Sequence, residues 1–223
     1  GPDKARRWTV LPALCAVLLL GRQVFAWPGL EWLLLAAALA LPLSGVLTYG
    51  KPQALTFTDI CAMAAAGFAI PWAFLGLYGL RMLEGGYLLV LTPLVAAFCS
   101  DALALFTGMA LGRHKLAPLV SPHKTVEGAA GGLVGGMAGM AIFCLVYRAI
   151  TGVNLGLPLC VALGLLGALL GELGDLSFSA VKRQYGIKDY GRLLPGHGGV
   201  LDRFDSVLFA APVLYALLRA LAA

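Results

Sequence analysis

The chain has 223 residues, of which 60% are hydrophobic and only 12% are charged, and its formal net charge is +5. A soluble domain usually carries about 25% charged residues, and the apolar residues here come in long runs, which excludes one large soluble core. The positive charge could suggest a nucleic-acid partner. Its distribution along the chain instead follows membrane topology, so we expect no nucleic acid.

Seven apolar runs approach the length of about 20 residues that is needed to cross a bilayer. They are too long and too uniformly apolar for barrel strands, which leaves helices as the spanning structure. In chain order they cover roughly residues 8–26, 31–49, 57–80, 86–111, 126–148, 155–181 and 204–222. The sequence therefore predicts an all-α fold, a polytopic transmembrane helical bundle of about seven spans. The first span is the weakest because Arg22 interrupts it.

We predict a single integral membrane catalytic domain over residues 3–223. Gly1 and Pro2 resemble a scar of tag cleavage and are left out of this domain. The five cysteines lie inside apolar runs without a CxxC pair, so we expect small buried hydrophobes and no disulfide framework. Two glycine-rich stretches, 128–139 and 164–174, allow close helix approach in lipid. That approach fits a dimer interface or packing within one chain equally well.

The basic residues predict the orientation of the spans. With seven spans and a cytoplasmic N-terminus, only four basic residues fall at the outer side, namely Arg22, Arg81, Arg148 and Arg219. The other twelve fall on the inner side: Lys4, Arg6, Arg7, Lys51, Arg113, Lys115, Lys124, Lys182, Arg183, Lys188, Arg192 and Arg203. This split predicts the N-terminus inside and the C-terminus outside.

Five carboxylates lie within or at the ends of the predicted spans, where an ionisable side chain is a functional candidate. They are Asp101, Glu172, Asp175, Asp202 and Asp205, and all approach the cytoplasmic ends of their helices. The outer halves of these helices carry almost nothing comparable. This asymmetry predicts a polar cavity that is open to the cytoplasm.

The segment from Asp175 to Asp205 combines charges with a spacing that suits a metal and phosphates. Asp175, Ser179 and Lys182 are spaced by four and three, so they share one helix face, with Arg183 next to them. Asp202 and Asp205 open the next helix, and carboxylates from two helices suit Mg²⁺. A helix cap or an ion pair would equally explain Asp205.

The polar stretch between these helices, residues 184–205, reads QYGIKDYGRLLPGHGGVLDRFD. Lys188, Arg192 and Arg203 are positive, and the glycines at 196, 198 and 199 could form an anion-binding nest. An ordinary basic inner loop is the alternative to a polyphosphate site. A second basic loop, residues 112–128, places Lys124 within reach of the cavity, and its Thr125 and Glu127 are typical of a helix start.

The run SAVKRQYGIKDYGRLLPGHGGVLDRFD, residues 179–205, resembles the signature of the phosphatidate cytidylyltransferases, or CDP-diacylglycerol synthases. In that signature a Ser precedes Lys-Arg, Lys-Asp, His-Gly-Gly and Asp-Arg-x-Asp at this spacing. SPHKTVEG, residues 121–128, is similar to a second motif of the family. Leu105 stands where the family has a tyrosine, and His123 replaces a lysine, which leaves substrate details open.

The resemblance implies that CTP and phosphatidate react to give CDP-diacylglycerol and pyrophosphate, with the lipid phosphate attacking the α-phosphorus of CTP. It implies Mg²⁺ on Asp175 and Asp202, and it is compatible with a second cation such as K⁺. The implied catalytic residues are Lys124, Asp175, Ser179, Lys182, Arg183 and Asp202. The implied substrate-binding residues are Lys188, Asp189, His197, Gly198, Gly199, Arg203 and Asp205. It also favours a homodimer in the bacterial inner membrane.

Two alternatives remain beside this enzyme. The same chemistry could act on another lipid phosphate, such as an ether lipid, because contacts with lipid tails carry little residue pattern. A cation-coupled or proton-coupled transporter would also use intramembrane carboxylates. A transport path, however, needs polar residues across the midplane and often broken helices in repeated halves, and the sequence shows neither clearly.

Overall fold

The computed structural model describes residues 10–25, 29–50, 54–191 and 199–222, and these residues are mostly helical. In this part of the chain, six helical segments are long and apolar enough to cross a membrane. They are Leu30–Thr48, Phe57–Met82, Gly86–Leu111, Val126–Thr151, Leu157–Gln184 and Leu201–Leu221. Each lies within a few residues of a predicted span, which confirms the polytopic helical bundle.

The first predicted span, residues 8–26, corresponds to a shorter apolar helix, with its candidate stretch at Val10–Gln23. A seventh crossing and the cytoplasmic N-terminus therefore stay predictions. The chain packs as two compact units, Gly1–Leu75 and Gly76–Ala223. A single catalytic domain over residues 3–223 also stays a prediction.

The first unit is built from helices that pack closely at small residues. It contains α1 (Val10–Phe25), α2 (Leu30–Thr48), α3 (Phe57–Ala64) and a π-helical turn over Ala65–Ala69. Thr56 and Asp59 form a capping box at the start of α3. The π-helical turn meets α1 at Gly67, where a Cβ would lie 3.0 Å from the Cβ of Cys15. Apolar composition predicts a continuous helix here and gives no signal of the wider turn.

The second unit is a bundle in which α7 packs along both α6 and α8, and α9 packs on α8. Its elements follow the end of α4 (Ile70–Met82): α5 (Gly86–Leu89), α6 (Thr92–Leu111), β1 (Lys115–Ala117), β2 (Ser121–Thr125), α7 (Val126–Thr151), α8 (Leu157–Gln184) and α9 (Leu201–Ala222). Its core is apolar and draws on every long helix of the unit: Leu80, Leu89, Ala96, Met140, Phe143, Tyr147, Leu163, Ala210, Leu214 and Leu218.

The glycine-rich stretches pack within the chain. A Cβ on Gly136 would lie 2.6 Å from the Cβ of Ala168 and 2.7 Å from the carbonyl oxygen of Gly164. A Cβ on Gly167 would lie 2.7 Å from the Cβ of Ala96. These contacts require that α6, α7 and α8 approach one another at backbone distance, so packing within one chain accounts for these glycines. The five cysteines are free thiols; Cys15, Cys144 and Cys160 are buried as predicted, whereas Cys61 is exposed and Cys99 is half-buried.

The loop between α6 and α7 folds into a short antiparallel hairpin, in which Lys115 pairs with Thr125 and Ala117 with Ser121. Thr125 then begins α7, where its Oγ1 accepts the Gly128 N–H at 3.1 Å. This cap confirms the predicted helix start. Glu127 Oε2 accepts the backbone N–H groups of Arg113 and His114 at 3.1 and 3.2 Å. The carboxylate thereby ties the end of α6 to the start of α7.

Candidate active site

Asp175 lies on α8 between a hydroxyl and an ammonium group. Ser179, one turn later, donates its hydroxyl hydrogen to Asp175 Oδ1 at 3.2 Å. The Nζ of Lys124, which reaches over from β2, lies 2.6 Å from Asp175 Oδ2. The structure therefore brings three of the predicted catalytic residues together from two elements, in the arrangement that the helical spacing and the second loop predict.

Asp202, in the first turn of α9, is held by one side chain and two backbone groups. Its Oδ1 lies 3.1 Å from Lys182 Nζ on α8. Its Oδ2 accepts the N–H groups of Tyr190 and Gly199, each at 2.9 Å. One oxygen thus anchors the connection between α8 and α9, while the other faces a cation.

Asp205 completes this second group one turn further along α9. Its Oδ2 lies 4.0 Å from Lys182 Nζ, and its side chain is buried. α8 and α9 are in contact here, since a Cβ on Gly174 of α8 would lie 2.7 Å from the carbonyl oxygen of Asp205 on α9. This close packing places the Asp175 end of α8 beside the start of α9. Both the ion-pair alternative and the site prediction for Asp205 are compatible with this position.

The remaining predicted residues are placed differently. Arg183 Nε donates to the carbonyl oxygen of Val120 at 3.2 Å, so it ties the hairpin to the end of α8. Lys188 and Asp189 are exposed, and the described part of the chain pairs neither with a carboxylate or a cation of the site. Arg203 is exposed on the first turn of α9. His197 and Gly198 fall in the gap 192–198, outside the described residues.

A cavity of about 450 Å³ lies beside Lys124, between α6, the hairpin, α7 and α8. Its polar lining includes Asp101, His123, Lys124 and Glu172. Its other lining residues are small or apolar: Ala104, Leu105, Gly108, Met109, Leu116, Thr125, Gly128 and Ala129. Asp101 and Glu172 therefore share this cavity, whereas Asp175, Asp202 and Asp205 do not line it, so the predicted polar cavity holds two of the five carboxylates. The two positions that depart from the family motifs, Leu105 and His123, line the same space.

Ser100 is a polar residue of this region that sequence reasoning missed. Within the described residues, its Oγ and the Oε1 of Glu172 are buried without a hydrogen-bond partner. Both oxygens lie next to Gly132, where a Cβ would be 2.9 Å from Ser100 Oγ and 2.5 Å from Glu172 Oε1. The signal in the sequence was a serine directly before the intramembrane Asp101.

Tyr190 is a second residue that the sequence did not single out. Besides its backbone bond to Asp202, its phenol donates to the carbonyl oxygen of Phe178 on α8 at 3.0 Å. The Lys182 ammonium lies 5.5 Å from the centroid of its ring. Burial raises the pKa of Tyr190 to about 12, and the nearby Asp202 and Asp205 add to this shift. The phenol therefore stays neutral and keeps its donor hydrogen near neutral pH.

The donor set suits a hard cation that keeps part of its water shell. Among the described residues, no three His, Cys, Asp or Glu side chains form a metal-binding group, so an all-protein cage is not built here. Mg²⁺ is commonly held by one or two carboxylates together with substrate phosphates and water. Asp175 and Asp202 offer two carboxylates, and each attracts an ammonium cation in this structure. These residues fit such an ion.

Carboxylates and lysines from two apolar helices and the hairpin beside them define a helical membrane protein with a polar site at the helix ends. The chain matches the cytidylyltransferase family over residues 2–221, and it belongs to that family.

Three curated relatives illustrate the similarity. The phosphatidate cytidylyltransferase of Bacillus subtilis is 42% identical over 166 residues, which cover 73% of this chain and 60% of that protein. Its counterpart in Staphylococcus saprophyticus is 40% identical over 158 residues, covering 71% of this chain and 58% of that protein. Its counterpart in Staphylococcus haemolyticus is 39% identical over 158 residues, which likewise cover 71% of this chain and 58% of that protein. The chain therefore spans about three fifths of the length of these relatives.

Proposed function

We propose that this chain transfers the cytidylyl group of CTP to phosphatidate, forming CDP-diacylglycerol and releasing pyrophosphate. A phosphate oxygen of the lipid attacks the α-phosphorus of CTP, a new P–O–P bond forms, and the bond from the α-phosphorus to the β-phosphate breaks. The pyrophosphate leaves with the electron pair of that bond. The observation that carries the proposal is the pairing of two carboxylates with two lysines, Asp175 with Lys124 and Asp202 with Lys182, in a member of the cytidylyltransferase family.

The proposed role of these residues is to position groups and neutralise charge, because such a transfer needs little covalent work from the protein. Asp175 and Asp202 would hold Mg²⁺, which supplies positive charge at the phosphates when bound. Lys124 and Lys182 lie beside these carboxylates and can bind phosphate oxygens. Ser179 orients Asp175 through its hydroxyl. The backbone N–H groups of Tyr190 and Gly199 orient Asp202.

The same residues support a proposed location for each substrate. The cavity of about 450 Å³ combines an apolar wall with the Lys124 cation, which suits a lipid headgroup that enters from the membrane side. Gly199, at the end of the connection between α8 and α9, and Arg203, on the first turn of α9, suit the nucleotide. Further predicted contacts are Lys188, Asp189, His197, Gly198 and Asp205. The proposal also includes that the active site faces the cytoplasm and that the protein is a homodimer. Names of relatives that specify phosphatidate favour this lipid over an ether-linked one and favour transfer over transport.

The decisive experiment uses CTP labelled either at the α-phosphate or at the γ-phosphate. The labelled CTP is added to the protein in detergent micelles that contain phosphatidate and Mg²⁺. Attack at the α-phosphorus predicts that label from the α-phosphate enters the lipid phase and that label from the γ-phosphate stays in water as pyrophosphate. Transfer of the γ-label to lipid would indicate a kinase instead. If folded protein moves neither label to phosphatidate or to an ether-linked lipid phosphate, the proposal is wrong.

We predict that Tyr190→Phe raises the Mg²⁺ concentration for half-maximal activity by about 10-fold, the scale of losses when a group that orients a ligand is removed. The change deletes the phenol oxygen that donates to the carbonyl oxygen of Phe178 and keeps the contact between the two rings. The backbone N–H of Tyr190 in turn holds Asp202. The measurement is α-label transfer as a function of Mg²⁺ concentration. Tyr215→Phe is the matched control, because its phenol accepts a long hydrogen bond from Arg219 at 3.4 Å and, within the described part of the chain, no bond links it to the site. An unchanged Mg²⁺ dependence in Tyr190→Phe would rule out this positioning role.

A further inference from the structure

The hairpin that carries Lys124 is too small to fix its own position. Its strands, Lys115–Ala117 and Ser121–Thr125, form a sheet of two strands, and their register is irregular between Lys115 and Ala117. An isolated two-stranded hairpin is only marginally stable, and most residues of this one are exposed or half-buried. Contacts at its ends must therefore hold it in place.

At the open end of the hairpin, one carboxylate receives three donors. Glu127 Oε2 accepts the backbone N–H groups of Arg113 and His114 at 3.1 and 3.2 Å, and Glu127 Oε1 lies 2.6 Å from the Nδ1 of His114. The N–H of Val126 also donates to the carbonyl oxygen of His114 at 2.9 Å. These bonds join the two chain segments that enter and leave the hairpin. We call Glu127, Arg113 and His114 the hairpin clamp.

The hairpin clamp lies next to Lys124. His114 directly precedes Lys115, Lys115 pairs with Thr125, and Lys124 directly precedes Thr125. A shift at the clamp therefore moves the backbone of Lys124, whose side chain lines the cavity of about 450 Å³. A displacement of about 1 Å that begins far from the reacting atoms can cost on the order of 100-fold in rate.

We propose that Glu127 is a positioning residue, which places Lys124 in the cavity so that its ammonium group meets the phosphate of the lipid headgroup. Glu127 is not among the described residues that line the cavity, so it acts through Lys124 and not by contact with the substrate. This inference rests on the proposed function, because it takes the cavity as the site of the lipid phosphate.

Two substitutions separate the hydrogen bonds of Glu127 from its charge. Glu127→Ala removes the acceptor of all three donors. Glu127→Gln keeps an amide oxygen for the N–H groups of Arg113 and His114, and its amide nitrogen can donate to the Nδ1 of a neutral His114. Both substitutions remove the same negative charge. A positioning role therefore predicts that Glu127→Gln behaves like the wild type at about pH 8, where an ordinary imidazole is neutral, and that Glu127→Ala does not.

The experiment measures the binding of dihexanoyl phosphatidate, a short-chain lipid, to the purified full chain in detergent by isothermal titration calorimetry, without CTP. We expect Glu127→Ala to bind it about 10-fold more weakly than the wild type, near the lower end of what a hydrogen bond to a charged group contributes. Glu84→Ala is the matched control, because it deletes an exposed carboxylate from the turn between α4 and α5. Size-exclusion chromatography establishes that each variant is folded.

The same substitution in a Lys124→Gln background tests whether Glu127 acts through Lys124. A positioning role predicts that Lys124→Gln binds the lipid more weakly than the wild type and that adding Glu127→Ala changes nothing further, because the positioned group is already gone. A short-chain lipid dissolves at high concentration, so binding weakened in this way stays measurable. A general loosening of the structure would weaken binding by the same factor in both backgrounds, and that result overturns the inference. Wild-type affinity in Glu127→Ala, or equal losses in Glu127→Ala and Glu127→Gln, overturns it as well.

The proposed function is tested separately, because the titration requires no transfer of label. If the wild type transfers the α-label and Glu127→Ala binds the lipid as the wild type does, only the positioning role is refuted. If the variants show the expected binding but the wild type moves no label, only the proposed reaction is refuted. A wild type that binds no dihexanoyl phosphatidate refutes the inference, and transfer of the α-label then decides the proposed function.

Discussion

Replacing Asp202 with asparagine is expected to lower kcat/KM for transfer of the α-label on the order of 10²- to 10³-fold, as found when one preorganised electrostatic group is removed from an active site. The amide oxygen of asparagine can still accept the N–H groups of Tyr190 and Gly199, which Asp202 Oδ2 accepts at 2.9 Å. The change therefore preserves the anchor of the loop and removes the charge that faces Lys182.

The chain should remain folded in this variant. Asp205 Oδ2 lies 4.0 Å from Lys182 Nζ and can take over as its partner. The control is Glu31→Gln, which removes the same charge from an exposed ion pair with Arg22 at 3.7 Å, a kind of pair that contributes little. The Asp202 variant and this control should elute alike from a size-exclusion column and differ in activity. Near wild-type transfer by folded Asp202→Asn would mean that the carboxylate is not part of the chemistry.

The membrane spans could be predicted almost to their ends because the bilayer imposes their length and composition. A run of about 20 apolar residues has few structures open to it in lipid, since each backbone group must be bonded within the segment. The spans predicted at 126–148 and 155–181 correspond to helices at Val126–Thr151 and Leu157–Gln184. The first of these helices begins where Thr125 predicts, but it ends at Thr151, three residues beyond the predicted 148, before Gly152 in the left-handed conformation.

The sequence predicts which residues belong to the site better than it predicts which of them contact each other. Helical spacing places Asp175, Ser179 and Lys182 along one face of α8, and this much is local. That Lys124 meets Asp175, whereas Arg183 turns to the carbonyl oxygen of Val120, depends on how the hairpin packs against α8. The sequence predicts only a loop where the hairpin lies, because the two short strands pair with each other and carry no alternating apolar pattern.

The sequence also gives no signal for Ser100 and Tyr190, because their contacts depend on how the helices pack. Ser100 and Glu172 meet across the bare Cα of Gly132. These three residues lie on three different helices, and each is more than thirty positions from the next in sequence. Tyr190 likewise matters through a backbone N–H and a phenol that reach two different helices. Such contacts form only because glycines let the helices pack closely.

Gly136→Leu is therefore expected to disrupt the second unit and to lower its free energy of unfolding by more than about 3 kcal/mol, the upper end of typical overpacking. The new side chain would begin 2.6 Å from the Cβ of Ala168 and 2.7 Å from the carbonyl oxygen of Gly164. A backbone atom of α8 cannot move aside as a flexible side chain can, so α7 and α8 must separate. Leucine favours helix over glycine by only about 1 kcal/mol, which does not offset this strain.

The matched control is Ala138→Leu, two residues further along α7 on its exposed face. It adds a leucine to the same helix, but on a face that the rest of the described chain leaves exposed. The measurement is the midpoint of thermal unfolding in detergent, followed by loss of the monodisperse peak on size exclusion. We expect a large drop for Gly136→Leu and little change for Ala138→Leu. Because Gly164 and Ala168 lie on α8, the helix that carries Asp175 and Lys182, the residual folded fraction of Gly136→Leu should also lose α-label transfer. A Gly136→Leu protein as stable and active as the control would show that α7 and α8 do not meet at backbone distance.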